Sequence, residues 1–209
     1  MVFIYALPCL RFSSRERQLI KKLTDSKALT FPEFLDNFYV RYKYACFKQF
    51  YAYLLKYKDI VEFAVYPDYR YDLHLLLKSF SFINWLFPLH KKAELDFVLK
   101  HDFTWVAMPY RKAWRDYSFQ EFLEITKQYS LKSWILGWWW ESYPESLAFI
   151  DGFDTTLPEF FAYKCSKIWV SWKQHIESLD PPITKFVRNV VNFHKAVLPY
   201  LKKAEIGCF

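Results

Sequence analysis

Glycine is almost missing from this chain. Only Gly137, Gly152 and Gly207 occur among 209 residues. A loop that cradles phosphates needs several glycines close together so that the backbone can approach the ligand. Neither GxGxxG nor GxxxxGK[ST] is present, which excludes Rossmann-type dinucleotide binding and P-loop hydrolysis. Cysteine is also sparse: Cys9, Cys46, Cys165 and Cys208 form no CxxC pair, and none has a histidine at ligand spacing. Neither a zinc site nor any other metal or cofactor is expected, and free thiols in a reducing compartment are. The five histidines are scattered, with no HExxH. Long apolar runs are lacking too: nothing reaches the roughly 18 residues that a membrane span requires. The opening Met1–Arg11 has no basic stretch, and its apolar run is too short for a signal peptide. The expected location is the cytoplasm, with no membrane partner.

What is abundant is aromatic. Nine Trp, sixteen Tyr and twenty-two Phe make up 22% of the chain, and apolar residues reach 53%. Such a chain buries a large core without disulfides or metals, so disorder is excluded. Most of these rings are expected in the core, and some are candidates for stacking on bases. The formal net charge of +7 suits a polyanionic partner such as nucleic acid.

Apolar runs alternate with helix signals. Val2–Leu7 predicts a strand ended by Pro8, and Ser14–Leu23 a short helix. Thr30-Phe-Pro-Glu33 has the form of a capping box and predicts a long helix to about Tyr57. Ile60–Val65 predicts a strand; Asp72 is placed to cap the helix after it, and another helical piece follows at about 91–99. Phe103–Met108 predicts a strand stopped by Pro109. Ser118-Phe-Gln-Glu121 is a second capping box, Ser133–Gly137 a strand, and Ser142-Tyr-Pro-Glu145 a third box. Phe153-Asp154 is a brief strand, Leu157–Lys164 a helical turn, and Ile168–Trp172 a strand. Asp180-Pro181 caps a last helix with an apolar stripe. Strands alternating with capped helices predict an α/β fold with mostly parallel strands. The expectation is a compact or incomplete (β/α) barrel of the TIM type, in one domain over residues 1–209 with a C-terminal helix over 180–205. An open doubly wound sheet is the alternative.

In parallel α/β folds the chemistry sits at the carboxyl ends of the strands. The residues following the predicted strands are Arg11, Asp68, Arg70, Tyr110, Arg111, Trp138 to Trp140, Glu141, Asp154 and Lys173. A carboxylate at such a position, as at Asp154, serves as nucleophile or base, or caps the helix that follows. Asp68 suits the ring N–H and amine of a guanine-like base, or a turn paired with Arg70. Alternation places Trp138 and Trp140 on one face, where they stack on a base or pack in the core.

The segment 136–160 resembles the queuine/archaeosine tRNA-guanine transglycosylases. Gly137, Pro144-Glu145-Ser146-Leu147 and Phe153-Asp154-Thr155-Thr156-Leu157-Pro158 match that family's strand end, helix start and nucleophile segment. Ile60–Asp68 is similar to the strand ending in its base-recognising aspartate. The likeness spans about 60–168 and extends to the relatives that insert deazapurines into DNA. It implies a transferase of the base-exchanging kind. Asp154 is then the nucleophile and Glu141 the acid/base. Asp68, Tyr110 and Trp138 hold the purine-type base, and Arg11, Arg70, Arg111 and Lys173 bind the phosphates of tRNA or DNA. The resemblance leaves open whether the chain acts alone or as a homodimer. Leu7-Pro8-Cys9-Leu10 stands where the family carries Asp-Ser-Gly-Gly-Phe-Gln, and the family's zinc cluster has no counterpart. Two competing readings follow: a noncatalytic nucleic-acid binder on the same scaffold, and a barrel hydrolase using Glu141 and Asp154 as a carboxylate pair about 5–9 Å apart.

Overall fold

A computed structural model describes residues 3–6, 29–30, 34–37, 47–137, 144–155, 160–171 and 174–206. The chain packs as two compact units: 1–31 with 137–209, and 32–136. They are called the outer-segment unit and the central unit.

The central unit holds five strands: β3 (Phe34–Leu35), β4 (Phe63–Val65), β5 (Asn84–Pro88), β6 (Trp105–Pro109) and β7 (Lys132–Leu136). Each pairs in parallel with the next in sequence, so the order never reverses. Register puts Phe34, Phe63, Trp105 and Trp134 on one face. All four are buried, and they interlock: Trp134 lies 5.9 Å from Phe34, 5.3 Å from Phe63 and 5.9 Å from Trp105. The other face carries Trp85 and Phe87. Phe50 of α1 (Phe47–Tyr57) lies 6.4 Å from Trp85, and Phe97 of α3 (Leu95–Lys100) lies 5.6 Å from Phe87. A sheet covered on both faces explains why these strands read as continuous apolar runs. A short helix α2 (His74–Lys78) precedes β5, and α4 (Phe119–Gln128) precedes β7. Helix α4 starts where its capping box predicts. Ser118 Oγ accepts the Glu121 N–H at 3.1 Å, and Glu121 Oε2 accepts the Ser118 N–H at 2.7 Å.

In the outer-segment unit, β1 (Phe3–Ala6) lies between β2 (Leu29–Thr30) and β8 (Gly152–Asp154), all parallel. A hairpin of β9 (Lys167–Ser171) and β10 (Gln174–Glu177) is antiparallel. Helix α5 (Pro182–Ile206) turns Phe186, Val190, Phe193 and Val197 inward at helical spacing, and Phe193 packs on Phe153 and Trp169. Its polar side chains complete the backbone of β9. Asn189 Oδ1 accepts the Trp169 N–H at 2.6 Å, and Asn192 Nδ2 donates to the Trp169 carbonyl at 2.8 Å.

The fold is thus mixed α/β with parallel strands in both units, and four expectations need correction. The helix expected from Thr30 is confined to Phe47–Tyr57 among the described residues, because Phe34 and Leu35 pair with β4 and are buried in the sheet. An aromatic pattern without a polar face does not separate helix from buried strand. Strand β5 was not expected, although its apolar run ends at Pro88 much as those at Pro8, Pro67 and Pro109 do. Asp72 caps no helix: it lies within a 3₁₀ turn and takes both Arg70 bonds instead. The strand near 168–172 is one arm of an antiparallel hairpin rather than a parallel βα unit. The helix expected at 14–23 and the boxes' Glu33 and Ser142 lie outside the described residues. No helix among the described residues is long and apolar enough to cross a membrane.

Candidate functional site

The rule that chemistry gathers at the carboxyl ends of parallel strands marks a separate group of residues in each unit. In the outer-segment unit it marks Asp154, the last residue of β8 and the register partner of Ala6 at the end of β1. Buried Phe153 anchors the strand, and Asp154 is half-buried at its tip. Its Oδ2 accepts the backbone N–H of Gly137 at 3.1 Å. Gly137 has φ +66°, a left-handed conformation open to glycine and costly for other residues. A Cβ there would meet nothing within 4 Å, so the backbone angle, not space, calls for glycine. The result is a carboxylate on a strand end with one oxygen fixed by a backbone donor.

In the central unit the strand ends bring together Asn37 after β3, Asp68 after β4, His90 after β5 and Trp114 after β6. Asp68 and His90 are both buried. One Asp68 oxygen bonds His90 Nε2 and the other accepts from Asn37 Nδ2. Asn37 Nδ2 also donates to the Tyr66 carbonyl at 3.0 Å. His90 Nδ1 lies 2.9 Å from the Trp114 carbonyl. A carbonyl only accepts, so Nδ1 carries a proton, and Nε2 faces a carboxylate. Burial alone lowers the His90 pKa, but the Asp68 bond and charge, with the Trp114 carbonyl and Glu94, outweigh it and the net shift is upward. The pair is therefore an imidazolium–carboxylate clasp with both ring nitrogens engaged.

The surroundings hold this clasp in place. Buried Glu94 accepts the backbone N–H groups of His90 at 2.6 Å and Lys91 at 2.8 Å, and the Tyr71 hydroxyl at 2.5 Å. The Tyr69 ring stacks on His90 at 4.9 Å, from a residue with φ +59°. A bulky side chain in the left-handed region is an outlier that a site can impose. Beside it lies a cleft of about 380 Å³ lined by Tyr69, His90, Lys91, Trp114 and Arg115, among others.

Among the remaining sequence candidates, Tyr110 directly follows β6, and its N–H extends the ladder to the Leu136 carbonyl at 3.0 Å. Arg70 makes two 2.9 Å bonds to Asp72 and lies over Phe47. Arg111 is exposed and lies over the Trp114 ring at 5.2 Å. Arg11, Trp138, Glu141 and Lys173 lie outside the described residues. Sequence reading missed His90, Asn37 and Glu94. Applying the strand-end rule to Asn84–Pro88 would have found His90 two residues on.

No family model matches the chain. The chain is similar to an uncharacterized protein, ORF192, of Acidianus two-tailed virus: 27% identical over 122 residues, 56% of this chain and 62% of that one. The aligned region thus spans less than two thirds of that relative's length.

Proposed function

We propose that the chain exchanges a purine-type base in nucleic acid through an aspartate nucleophile. The observation that carries this reading is the setting of Asp154: half-buried, at a parallel strand's carboxyl end, with Oδ2 on the Gly137 N–H. In the proposed step a carboxylate oxygen of Asp154 attacks C1′ of the target nucleotide. The bond from C1′ to the base nitrogen breaks, and the base leaves with the electron pair and takes up a proton. An incoming deprotonated base then displaces Asp154 from C1′. The Gly137 bond orients the carboxylate for attack. Glu141 is assigned the proton transfers, and Trp138, Tyr110 and Asp68 the base, by resemblance. Exposed Arg111 with the chain's +7 charge suits phosphates, with Arg11, Arg70 and Lys173 assigned alongside. The target nucleotide leaves its stack to react.

The compact TIM-type barrel belongs to the same proposal. Two features within the units support it: the unreversed order β3 to β7, and the pairing of β1 with β8. A noncatalytic nucleic-acid binder is the second reading, favoured by Asp68, whose two oxygens both bond within the central unit.

The test is incorporation of labelled guanine or a 7-deazaguanine into tRNA and into duplex DNA. Wild type is expected to label one of the two polymers, and Asp154→Asn to lose at least about a thousandfold in rate, with salt-sensitive binding unchanged. No incorporation into either polymer, with that binding intact in both proteins, selects the noncatalytic reading.

A further inference from the structure

The cleft beside the Asp68–His90 clasp is lined from three stretches of chain: Tyr69, His90 with Lys91, and residues 113–116. One kind of group that meets there is aromatic. Tyr69 stacks on His90 with the ring planes 23° apart, yet 49% of the residue stays exposed. Its φ of +59° is a conformation that a tyrosine adopts where its surroundings impose it. His90 beneath it is buried and bonded at both ring nitrogens, so the ring rests on a fixed base. Half-buried Trp114 is the second ring of the lining.

The other kind is cationic. Lys91 and Arg115 belong to the lining, and Arg111 and Lys112 directly precede residues 113–116. Lys91, Arg111 and Lys112 are exposed, and Arg115 is half-buried. Among the described residues none of the four forms an ion pair. Arg111 lies over the Trp114 ring at 5.2 Å, which holds its charge beside the cleft. Arg115 donates from Nε to the Pro109 carbonyl at 3.2 Å and from Nη1 to the Tyr117 carbonyl. Both acceptors are neutral, so its charge stays uncompensated. The lining holds one exposed carboxylate, Asp116, whose Oδ1 accepts the Lys92 N–H at 3.0 Å. Four unpaired cations outweigh it, and a rim of one sign attracts a polyanion.

An aromatic platform bordered by unpaired cations is the arrangement that takes unstacked bases and their phosphates. We propose that this cleft binds a single-stranded stretch of nucleic acid, with one base stacked on Tyr69 and the flanking phosphates on Lys91, Arg111 and Lys112. A duplex keeps its bases stacked on one another and offers none to Tyr69. The inference rests on the nucleic-acid partner of the reading above but not on its exchange chemistry, in which Tyr69, Lys91 and Lys112 take no part.

The experiment measures fluorescence anisotropy of a labelled oligothymidylate of about twenty nucleotides, alone and paired with oligoadenylate, over a range of salt concentrations. Tyr69→Ala is expected to weaken the single strand about tenfold and the duplex less than about twofold. Its salt dependence should stay that of wild type, because no charge is removed, and Tyr69→Phe should bind as wild type. The double variant Lys91→Ala with Lys112→Ala should lower the salt slope for the single strand by about 1.4, at about 0.7 for each phosphate contact. It carries the test alone if Tyr69→Ala does not fold. Single-strand binding that ignores Tyr69→Ala, an equal loss for strand and duplex, or an unchanged slope in the lysine variant overturns the proposal. Labelled-base incorporation separates the two readings. Tyr69-dependent binding without incorporation removes the exchange and keeps the cleft, and incorporation with Tyr69-independent binding does the reverse.

Discussion

Asp68 and Asp154 both lie at the carboxyl ends of parallel strands, and the two units give them different partners. In the central unit Asp68 is buried, and both its oxygens are taken by His90 and Asn37. In the outer-segment unit Asp154 is half-buried and meets a backbone N–H. A carboxylate clasped by a buried imidazolium is held in one orientation by its partners and does not suit attack. A carboxylate fixed through a glycine backbone keeps a defined orientation near solvent and suits attack on a substrate. Position on the rim is therefore shared, and the partners decide the role.

The units also differ in how they are assembled. The central unit pairs each strand with the next, so its contacts are built from neighbouring stretches. The outer-segment unit joins residues before 32 to residues after 136 through the pairing of β1 with β8.

Substitutions at three positions sharpen this comparison. The largest effect is expected in the sheet. Trp134→Ala removes a ring that is fully buried and meets three others, and should cost about 4 kcal/mol. Hydrogen exchange of the β4 to β7 amides should rise accordingly; protection near wild type would show that the aromatic face does not hold the central sheet. Next comes His90→Ala, which leaves a buried carboxylate without its cationic partner and should cost about 3 kcal/mol in urea denaturation. The sign of its pH dependence is fixed. The folded pKa of His90 lies above its unfolded value, so the stabilisation is complete below about pH 6.5 and fades as pH rises through the folded value. The stability gap between wild type and His90→Gln should therefore narrow from pH 6 towards alkaline pH. A gap that widens contradicts the ion-pair assignment. The smallest effect is expected from Gly137→Ala, which forces alanine to φ +66° in open space at about 1 kcal/mol. Base exchange should fall about tenfold as the N–H on Asp154 shifts, while nucleic-acid binding stays within about twofold. Unchanged exchange would remove the orienting role given to Gly137.

Much of this architecture was legible because period and punctuation agree. Ser118 and Glu121 announced α4, Pro109 closed β6, and the spacing of Phe186, Val190 and Val197 announced α5. Reading failed where pairing over distance decided the outcome. Phe34 and Leu35 became strand because β4 offered a ladder and Trp134 a stacking partner, neither visible in residues 30–57. The turn to an antiparallel hairpin at β9 depends on amides of α5 about twenty residues away. At the rim, residue types gave Asp68 and Asp154 alike. Their difference lies in His90, Asn37 and the φ of Gly137, which only the fold assembles.

The most direct measurement of the central claim is intact-mass analysis of the protein after incubation with its nucleic-acid substrate and no incoming base. The account predicts a glycosyl adduct, carried as an ester on Asp154, in wild type and none in Asp154→Asn. An adduct on another residue, or labelled-base incorporation that persists in Asp154→Asn, would contradict it.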